Sequence, residues 1–402
     1  MKILFVSKDD IGGIGQVCID MMRALKASGH ECHMLVLEKH TDNPDIEQYG
    51  YWRWRLAKMP SGLLCRYGFT VTRRNKARRL GGAIPTSVVN PLKSPWVEWA
   101  DVVHLHHVTD YIDYPSFFGG IGQKPVVMTL HDENFFYGLA YYECQLQKEH
   151  PLERYYAEVK RKAFAQAQNM GVVLLSEYFR EKFKGNTLLQ GHDVRLINNA
   201  VDTTVYKPIP KAEARQRLGL SSDDTLIAFA AFYLHDTRKG LDKLSKAVSQ
   251  IANQPIGNRT PPHVKILAAG HNIYHRSWPN VIEMGFKSTP ETLCEMLSAA
   301  DFFVMPSEQE AFGLTPLQAM ACGRPVVAFP VGCAAEIINV QNGVVCSDFT
   351  VEALQAGITT LMNRSYDAAA IRQDMKNRFS PEKIAQQYCS LYHDLMKKES
   401  VI

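Results

Sequence analysis

The stretch Asp301–Phe329, DFFVMPSEQEAFGLTPLQAMACGRPVVAF, predicts one strand–helix–strand unit. Its apolar first residues and the run Val326–Phe329 are both typical of short buried strands. Thr315 and Pro316 predict the helix start between them, with Thr315 as the N-cap and Pro316 at the first helical position. Gly323 ends this helix. Two consecutive strands joined by a helix are parallel, so the unit predicts an α/β fold.

The same alternation of apolar strands and amphipathic helices continues on both sides of this unit. In the first half we predict strands at Lys2–Ser7, Cys32–Leu37, Val102–His106, Val126–Leu130, Gly171–Leu175 and Val194–Ile197. In the second half we predict strands at Leu226–Ala231, Val264–Ala268, Val281–Met284, Asp301–Met305 and Val326–Phe329. Pro208 and Pro210 mark a linker between two series of about equal length. The sequence therefore predicts two α/β domains.

Composition is that of an ordinary globular protein. The 402 residues, of which 46% are hydrophobic and 21% charged, are enough for two or three domains. No apolar run reaches the roughly 18 residues of a membrane-spanning helix, and the first strand is too short for a signal-peptide core. The nine cysteines are scattered without a CxxC pair. We therefore expect reduced thiols in a cytoplasmic protein, without a disulfide framework or a zinc site.

Charge is unevenly distributed although the net charge is only +4. Between Gln48 and Val97 there are ten basic residues and no acidic one, interleaved with aromatic residues. This stretch is either a solvated basic face or a surface for an anionic membrane or a phosphate-bearing acceptor. No nucleic-acid-binding module is recognisable. The candidate acceptor or membrane residues are Trp52, Arg53, Trp54, Arg55, Arg73 and Arg74.

The loop PSEQEAFG follows a predicted parallel strand and precedes a helix, where such sheets bind ligands. The backbone amides of Gly313, Leu314 and Thr315 predict an anion site at the helix start, suited to a phosphate. Glu308 and Glu310 would repel a phosphate, so we expect them to bind neutral hydroxyls of a sugar or ribose.

Two further side chains belong to this predicted site. Lys239, in HDTRKGLDK, precedes a helix and could neutralise a diphosphate, with Arg238 and His235 nearby. Gln318 has two interpretations. It either completes a capping box with Thr315 or faces the ligand and binds hydroxyls.

The N-terminal glycine loop and the histidines offer a second set of candidates. Gly13-x-Gly15-x-x-Cys18 lacks the third glycine of a dinucleotide fingerprint, and Glu38 lies where a ribose-binding acid would be. Three histidines, at positions 104, 106 and 107, lie at the end of one predicted strand, and His131 lies at the end of the next. We favour a substrate hydrogen bond from His131 over metal binding, and we expect no metal.

These motifs, in this order, resemble the retaining GT-B glycosyltransferases of family 4 over nearly the whole chain. TLHD followed by YYEC is similar to the subgroup that builds bacterial surface polysaccharides. The matching segments are the Gly12-Gly13 loop, ADVVHLH, TLHD, SEYFREKF, NNAVD, RKG, SAADFFVMPS, EAFGLTPLQAMACGRPVVA and VGCAAEII with NGVV.

The resemblance implies two Rossmann-like domains facing across a cleft. These are an acceptor-side domain at 1–203, a nucleotide-sugar-binding domain at 204–380, and a helix at 381–402 that crosses back to the first domain. The apolar stripe of that helix would then have a partner surface. Its members are Ile384, Tyr388, Leu391, Tyr392, Leu395 and Met396.

The resemblance also implies roles for single residues. Glu310 and His131 would contact the donor sugar at the reacting centre. Gly13, Lys239 and Arg238 would meet the diphosphate together with Gly313, Leu314 and Thr315. The second glutamate of the family, which binds ribose, is replaced by Gln318. We expect this replacement to weaken or alter nucleotide binding by roughly 1–2 kcal/mol rather than to abolish activity.

The expected function is transfer of a sugar, with retention, from a UDP- or GDP-sugar to a saccharide or polyprenyl-diphosphate-linked acceptor. No cofactor and no nucleic acid are expected, and the protein would be cytoplasmic, with possible peripheral attachment to anionic membrane. Two alternatives remain. One is a nucleotide-sugar-binding protein without transfer, suggested by Gln318. The other is an NAD-dependent oxidoreductase using Gly13, Gly15 and Glu38.

Overall fold

The computed structural model describes residues 1–58, 83–146, 148–252 and 263–399. The chain divides into two compact units. Unit 1 comprises Met1–Leu175, Arg180–Ile197 and Ile384–Ile402, and unit 2 comprises Ser176–Phe179 and Asn198–Lys383. Among the described residues, no helix is both long and apolar enough to cross a membrane.

Unit 1 is built on a parallel sheet in the order β3-β2-β1-β4-β5-β6-β7. Its central strands are buried along their whole length, as expected for a sheet covered by helices on both faces. The strands are β1 Lys2–Asp9, β2 Glu31–Glu38, β3 Ile46–Gln48, β4 Val102–His106, β5 Val126–Leu130, β6 Met170–Leu174 and β7 Asp193–Leu196. The helices in this part of the chain are α1 Gly12–Ala27, α2 Tyr51–Lys58, α3 Pro95–Trp99, α4 Tyr114–Gly120, α5 Pro151–Phe164 and α6 Glu177–Lys182.

Unit 2 repeats this design with a parallel sheet in the order β10-β9-β8-β11-β12-β13. Its strands are β8 Thr225–Tyr233, β9 Val264–His271, β10 Val281–Gly285, β11 Phe302–Met305, β12 Val326–Ala328 and β13 Gly343–Val345. Its helices are α7 Lys211–Arg217, α8 Leu241–Ala252, α9 Pro290–Ala299, α10 Leu314–Ala321, α11 Ala334–Ile337, α12 Val351–Met362 and α13 Ala368–Phe379. The predicted α/β class with two Rossmann-like sheets is confirmed.

The last helix, α14 Pro381–Glu399, belongs to unit 1 from Ile384 onward. Tyr388, Leu391, Tyr392 and Leu395 are buried, so the apolar stripe has its partner surface. The carbonyl of Leu395 accepts a hydrogen bond of 3.0 Å from Asn169 Nδ2 next to β6. The predicted return of this helix to the N-terminal domain is therefore confirmed.

Each sheet has a topological switch point, where neighbouring strands continue into connections on opposite faces. It lies between β1 and β4 in unit 1 and between β8 and β11 in unit 2. Ligands of such sheets bind beyond the carboxyl ends of these strands. The residues that follow β1, β4, β8 and β11 are therefore the first candidates for a functional site.

Candidate functional site

In unit 2 the switch point brings together the two loops singled out by the sequence. Lys239 follows β8 and Glu310 follows β11, and Lys239 Nζ lies 2.5 Å from Glu310 Oε1. Arg238 Nη1 lies 4.0 Å from the other carboxylate oxygen and donates to the Gln309 carbonyl at 2.8 Å. The backbones also join, since the amide of Glu308 donates to the Arg238 carbonyl at 2.9 Å.

Glu310 is only 7% exposed, and its two cationic neighbours determine its charge state. Burial raises the pKa of its carboxyl, but the nearby charges of Lys239 and then Arg238 outweigh burial and hold the pKa below its ordinary value. Glu310 is thus a buried carboxylate that stays ionised at neutral pH.

Glu308 lies two residues before Glu310 but has a different partner. Its Oε1 lies 2.5 Å from Lys243 Nζ on α8, and its side chain is 44% exposed. The two carboxylates that the sequence grouped together are therefore distinct, and only Glu310 belongs to the buried cationic cluster.

The start of α10 differs from the prediction. The N-cap is Gly313 with φ 87°, Leu314 is the first helical residue, and no side chain caps this end. Thr315 is thus not the N-cap. Pro316 is the third helical residue instead of the first, and it is accommodated there because the first four amides of a helix have no intrahelical acceptor. Gly313 is required both by its left-handed φ and because a Cβ there would lie 2.7 Å from Met305 Sδ.

The capping-box interpretation of Gln318 is wrong for the same reason. Gln318 is buried, and its Nε2 donates to the Tyr206 hydroxyl at 2.9 Å. The first-turn amides of α10 and the helix dipole still form a potential anion site directly beyond the loop of Glu310. The interpretation of Gln318 as a hydroxyl ligand stays a prediction.

In unit 1, the buried histidines of β4 meet the partly exposed histidine that follows β5. His106 Nδ1 lies 2.9 Å from His131 Nε2. His104, two residues earlier on β4, bonds Tyr392 through Nδ1 at 2.7 Å and Thr129 through Nε2 at 2.8 Å. All three rings are engaged with protein partners rather than arranged as a set of metal ligands.

His131 is partly exposed and lines a small cavity of about 20 Å³, together with His107 and Asp132. Burial, with a smaller contribution from His107, lowers the pKa of His131 to about 3. Burial lowers the pKa of His107 to about 4. The crevice of unit 1 therefore presents neutral imidazoles at physiological pH.

The two glycines of the N-terminal loop, Gly13 and Gly15, have different surroundings. A Cβ on Gly15 would lie 2.4 Å from the Asp10 carbonyl carbon, so close backbone packing excludes a side chain there. A Cβ on Gly13 would meet nothing within 4 Å. The protein's own packing thus leaves the position of Gly13 open to a ligand, as its predicted phosphate contact needs.

The residues of the basic stretch divide into buried and exposed ones. Trp54 is 6% exposed and donates from Nε1 to the Asp110 carbonyl at 2.8 Å, so it anchors α2 instead of lying on a surface. Trp52 is 68% exposed, and the guanidinium of Arg55 lies 5.8 Å from its ring centroid. Arg53 is also exposed, whereas Arg73 and Arg74 lie outside the described residues.

One feature of unit 2 was missed by sequence reasoning. Aromatic rings lie at or just after the carboxyl ends of β8, β9 and β10, and several are exposed: Phe232 by 53%, Tyr274 by 66% and Phe286 by 39%. Phe286 stacks on His271 at a centroid distance of 4.3 Å. The signal was the aromatic residue at or just after each strand end, in AFYLH, HNIYH and MGFK. Such rings could stack on a planar base or on the apolar face of a sugar.

Asp9, Glu38 and His40 form a group of potential metal ligands, whose ligand atoms lie within 4.8 Å of one another. Asp9 and Glu38 are paired across β1 and β2. The expectation that no metal is needed stays a prediction.

Comparison with known proteins agrees with the fold and with the motifs. A family described as Glycosyltransferase Family 4 matches residues 11–205, and one described as Glycosyl transferases group 1 matches residues 224–364. A D-inositol 3-phosphate glycosyltransferase of Segniliparus rotundus is 29% identical over 183 residues, which are 42% of this chain and 39% of that protein. The chain spans 48% and 55% of two further curated relatives.

Two solved structures cover nearly all of the chain. Sucrose-phosphate synthase of Thermosynechococcus elongatus is 20% identical with a TM-score of 0.65, over 99% of this chain and 100% of that one. HepE of Anabaena, solved with UDP-glucose, is 18% identical with a TM-score of 0.63, over 100% of both chains. At these identities the likeness concerns the fold.

The two sheets and these solved structures define the fold of the chain, which is GT-B. More particularly, residues 11–205 resemble the Glycosyltransferase Family 4 model and residues 224–364 resemble the Glycosyl transferases group 1 model.

Proposed function

We propose that this protein is a retaining glycosyltransferase that moves a sugar from a UDP- or GDP-sugar to a saccharide or lipid-linked acceptor. We place it in the synthesis of cell-surface polysaccharide, on the basis of TLHD followed by YYEC. The observation that carries the proposal is the buried contact of Lys239 with Glu310 beside the start of α10. It combines positive charge for a diphosphate with an ionised acceptor for sugar hydroxyls.

Donor binding follows from these groups. The diphosphate lies against the first-turn amides of α10 and the ammonium of Lys239, which stabilise its negative charge. Glu310 accepts hydrogen bonds from hydroxyls of the transferred sugar, and Arg238 fixes the loop of Glu310 through the Gln309 carbonyl. Gln318 offers its amide to the ribose, and the exposed rings after β8, β9 and β10 offer a stacking surface to the base.

Transfer then needs charge stabilisation more than a protein base. The bond between the anomeric carbon and the diphosphate oxygen breaks, and its electron pair stays on the leaving oxygen. Lys239 and the amides of α10 stabilise that charge as it develops. The acceptor oxygen bonds the anomeric carbon on the face that the diphosphate leaves, and its proton passes to the departing phosphate. His131 hydrogen-bonds the sugar during this step.

We further propose that α2 holds the protein at an anionic membrane that carries a lipid-linked acceptor. Trp52 and Leu56, one helical turn apart, are 68% and 64% exposed, and basic residues flank them. An exposed tryptophan beside arginines is a typical interfacial arrangement. Binding to anionic vesicles should weaken as salt rises, and Trp52→Ala should weaken it further; vesicle binding unaffected by salt or by this change would argue against the surface.

The first experiment is a thermal-shift panel with UDP, GDP, ADP, CMP and NAD at millimolar concentration. A nucleotide at about 100 times its dissociation constant adds roughly 2.7 kcal/mol to the stability of the folded state, which gives a measurable shift. We expect UDP or GDP to raise the melting temperature. The donor sugar is then found by release of that nucleotide from a set of nucleotide-sugars.

The matched variants are Lys239→Ala and Lys211→Ala. Both remove a lysine paired with a carboxylate of unit 2, but Lys211 pairs with Asp301, at the opposite edge of the sheet. Only Lys239→Ala should abolish the shift. A shift with NAD alone would revive the oxidoreductase alternative, and binding without sugar release on any acceptor would favour a binding protein.

A further inference from the structure

The contact between His106 and His131 determines which nitrogen of each ring carries a proton. Their nitrogens lie 2.9 Å apart, so one ring donates a proton to the other. A neutral imidazole has one N–H and one lone pair, and the donor in this pair therefore fixes the tautomer of both rings. Burial holds the pKa of both imidazoles far below 6.5, so both are neutral at physiological pH.

The second nitrogen of His106 identifies the donor. His106 is 1% exposed, and its Nε2 is buried without a hydrogen-bond partner among the described residues. If His106 Nδ1 accepted from His131, the proton of His106 would be on Nε2, as a buried N–H without an acceptor. Orphaned buried N–H groups are rarer in proteins than under-satisfied acceptors. The proton of His106 is therefore on Nδ1, and the unpartnered Nε2 is only a lone pair.

We infer that His106 is a positioning residue that donates from Nδ1 to His131 Nε2 and thereby fixes His131 as its Nδ1–H tautomer. His131 then presents an N–H, and no lone pair, at its remaining nitrogen, which has no hydrogen-bond partner among the described residues. If the protein is the proposed transferase, on which this role in the reaction rests, His131 donates to an oxygen of the sugar or diphosphate. It does not take the proton of the acceptor.

The surroundings of His106 hold its ring in place. Its ring is stacked on the ring of Phe5 of β1, with 5.6 Å between the ring centroids. Its centroid lies 4.0 Å from that of the His104 ring. His104 is itself bonded at both nitrogens, by Tyr392 of α14 and Thr129 of β5. The terminal helix thus supports the histidine pair from inside the unit.

The decisive measurement is the tautomer of His131 in the full-length protein without ligand, read from long-range ¹H–¹⁵N correlations of histidine-labelled protein. The chain has 14 histidines, and the spectrum of His131→Gln identifies the signals of His131. We expect the Nδ1–H pattern at pH 7. An Nε2–H pattern would overturn the inference, whether or not transfer is ever detected.

Two variants of His106 separate positioning from packing. In His106→Asn, the side-chain amide can still donate from near the position of Nδ1, and His131 should keep its tautomer and most of its turnover. In His106→Leu, His131 should populate the Nε2–H form, and kcat should fall about 10-fold or more with little change in KM for the donor. Unchanged tautomer and kcat in His106→Leu would contradict the inference.

The matched control is His33→Leu. His33 is also a buried strand histidine of unit 1 whose Nε2 makes no hydrogen bond, although it lies 3.9 Å from Glu47 Oε2. It stacks on Trp96 and does not contact His131. It should leave the His131 signals and kcat unchanged. If His106→Leu fails to fold, the wild-type spectrum and His106→Asn still decide the question. If no donor supports transfer, the proposed function fails while the tautomer is still measured.

Discussion

The two sheets have the same strand order, but the side chains at the carboxyl ends of their strands differ in charge. Beyond β8 and β11 in unit 2, a buried carboxylate lies among two cations and a helix start. Beyond β4 and β5 in unit 1, buried neutral imidazoles bond one another and hydroxyl groups. The carboxyl edge of the sheet thus provides charge in unit 2 and uncharged hydrogen bonding in unit 1.

The cause of the difference is the set of neighbours that each group has. Glu310 keeps its charge in spite of burial because Lys239 and Arg238 accompany it. His104 and His106 lose theirs, because burial is not offset by a carboxylate. We call the edge of unit 2 with Lys239 and Glu310 the charged edge, and the edge of unit 1 with His104, His106 and His131 the neutral edge. A diphosphate suits the charged edge, and sugar hydroxyls suit both edges.

The largest expected effect comes from removing the negative charge of Glu310. Glu310→Gln keeps the shape of the side chain but removes its negative charge, and it leaves Lys239 without its partner. We expect turnover of the sugar donor to fall about 100-fold or more, the range seen when one preorganised hydrogen-bonding group is removed from an active site. Steady-state kinetics with circular dichroism would measure the loss and show that the fold is kept.

A control for this change is Glu295→Gln on α9, whose carboxylate lies 3.7 Å from Arg217. It removes one paired carboxylate of unit 2 away from the loops of Lys239 and Glu310 and should leave turnover near wild type. If Glu310→Gln were as active as this control, the assignment of Glu310 to the reaction would be wrong.

The next prediction concerns pH and separates the two edges. The pKa values of His104 and His106 lie well below 6.5 in the folded state, whereas the unfolded chain keeps ordinary values. Below pH 6.5 the unfolded chain takes up protons that the folded state does not. The free energy of unfolding of unit 1 should therefore fall as pH falls, by about 1.4 kcal/mol per pH unit for each such histidine.

Unit 2 should respond at lower pH. The pKa of Glu310 is lowered in the folded state, so its contribution to stability is lost only as pH falls below its ordinary value of 4.5. Hydrogen exchange between pH 7 and 5 should therefore show β4 and β5 losing protection before β8 and β11. His106→Asn should reduce the pH slope of unit 1, and equal losses in both sheets would contradict the prediction.

The fold was predictable from the sequence because the strands are almost wholly apolar. The predicted bounds of β4 and β5 agree with the structure, while β3 and β13, of three residues each, were missed because so short a run gives no periodic signal. The approach of Lys239 to Glu310 followed from the rule for switch points once both loops had been found.

Side-chain partners were less predictable. Thr315-Pro316 has the composition of a helix start, but the left-handed Gly313 begins α10 earlier. The partner of Gln318 is Tyr206, 112 residues away, and local pattern does not reveal such a contact. Trp54 and Trp52 are alike in sequence, and only packing decides which of them is buried.

A smaller effect tests how α14 supports the neutral edge. Tyr392→Phe removes the hydroxyl that bonds His104 Nδ1 and leaves a buried polar atom without a partner. We expect the free energy of unfolding to fall by about 1–3 kcal/mol. Denaturant titration measures this difference.

Tyr388→Phe is the matched change on the same helix. The hydroxyl of Tyr388 bonds Thr129 Oγ1, which keeps His104 as a second partner, so its loss should cost less. Equal costs for the two variants would contradict this ranking, and no cost for Tyr392→Phe would mean that the terminal helix stabilises unit 1 by apolar packing alone.

The smallest expected effect comes from adding a negative charge at Gln318. In Gln318→Glu, the Tyr206 hydroxyl can donate to one carboxylate oxygen while the other accepts from a ribose hydroxyl. A hydrogen bond to a charged acceptor is stronger than one to an amide, but burying a new carboxylate has a cost. We expect a net gain of about 1 kcal/mol, or roughly five-fold tighter binding of UDP by calorimetry. Gln373 is an exposed residue of α13, and Gln373→Glu should leave the affinity unchanged. Unchanged or weaker binding in Gln318→Glu would mean that Gln318 does not contact the ribose and serves only to hydrogen-bond Tyr206. Tighter binding would mean that the neutral amide limits the affinity of an otherwise charged site.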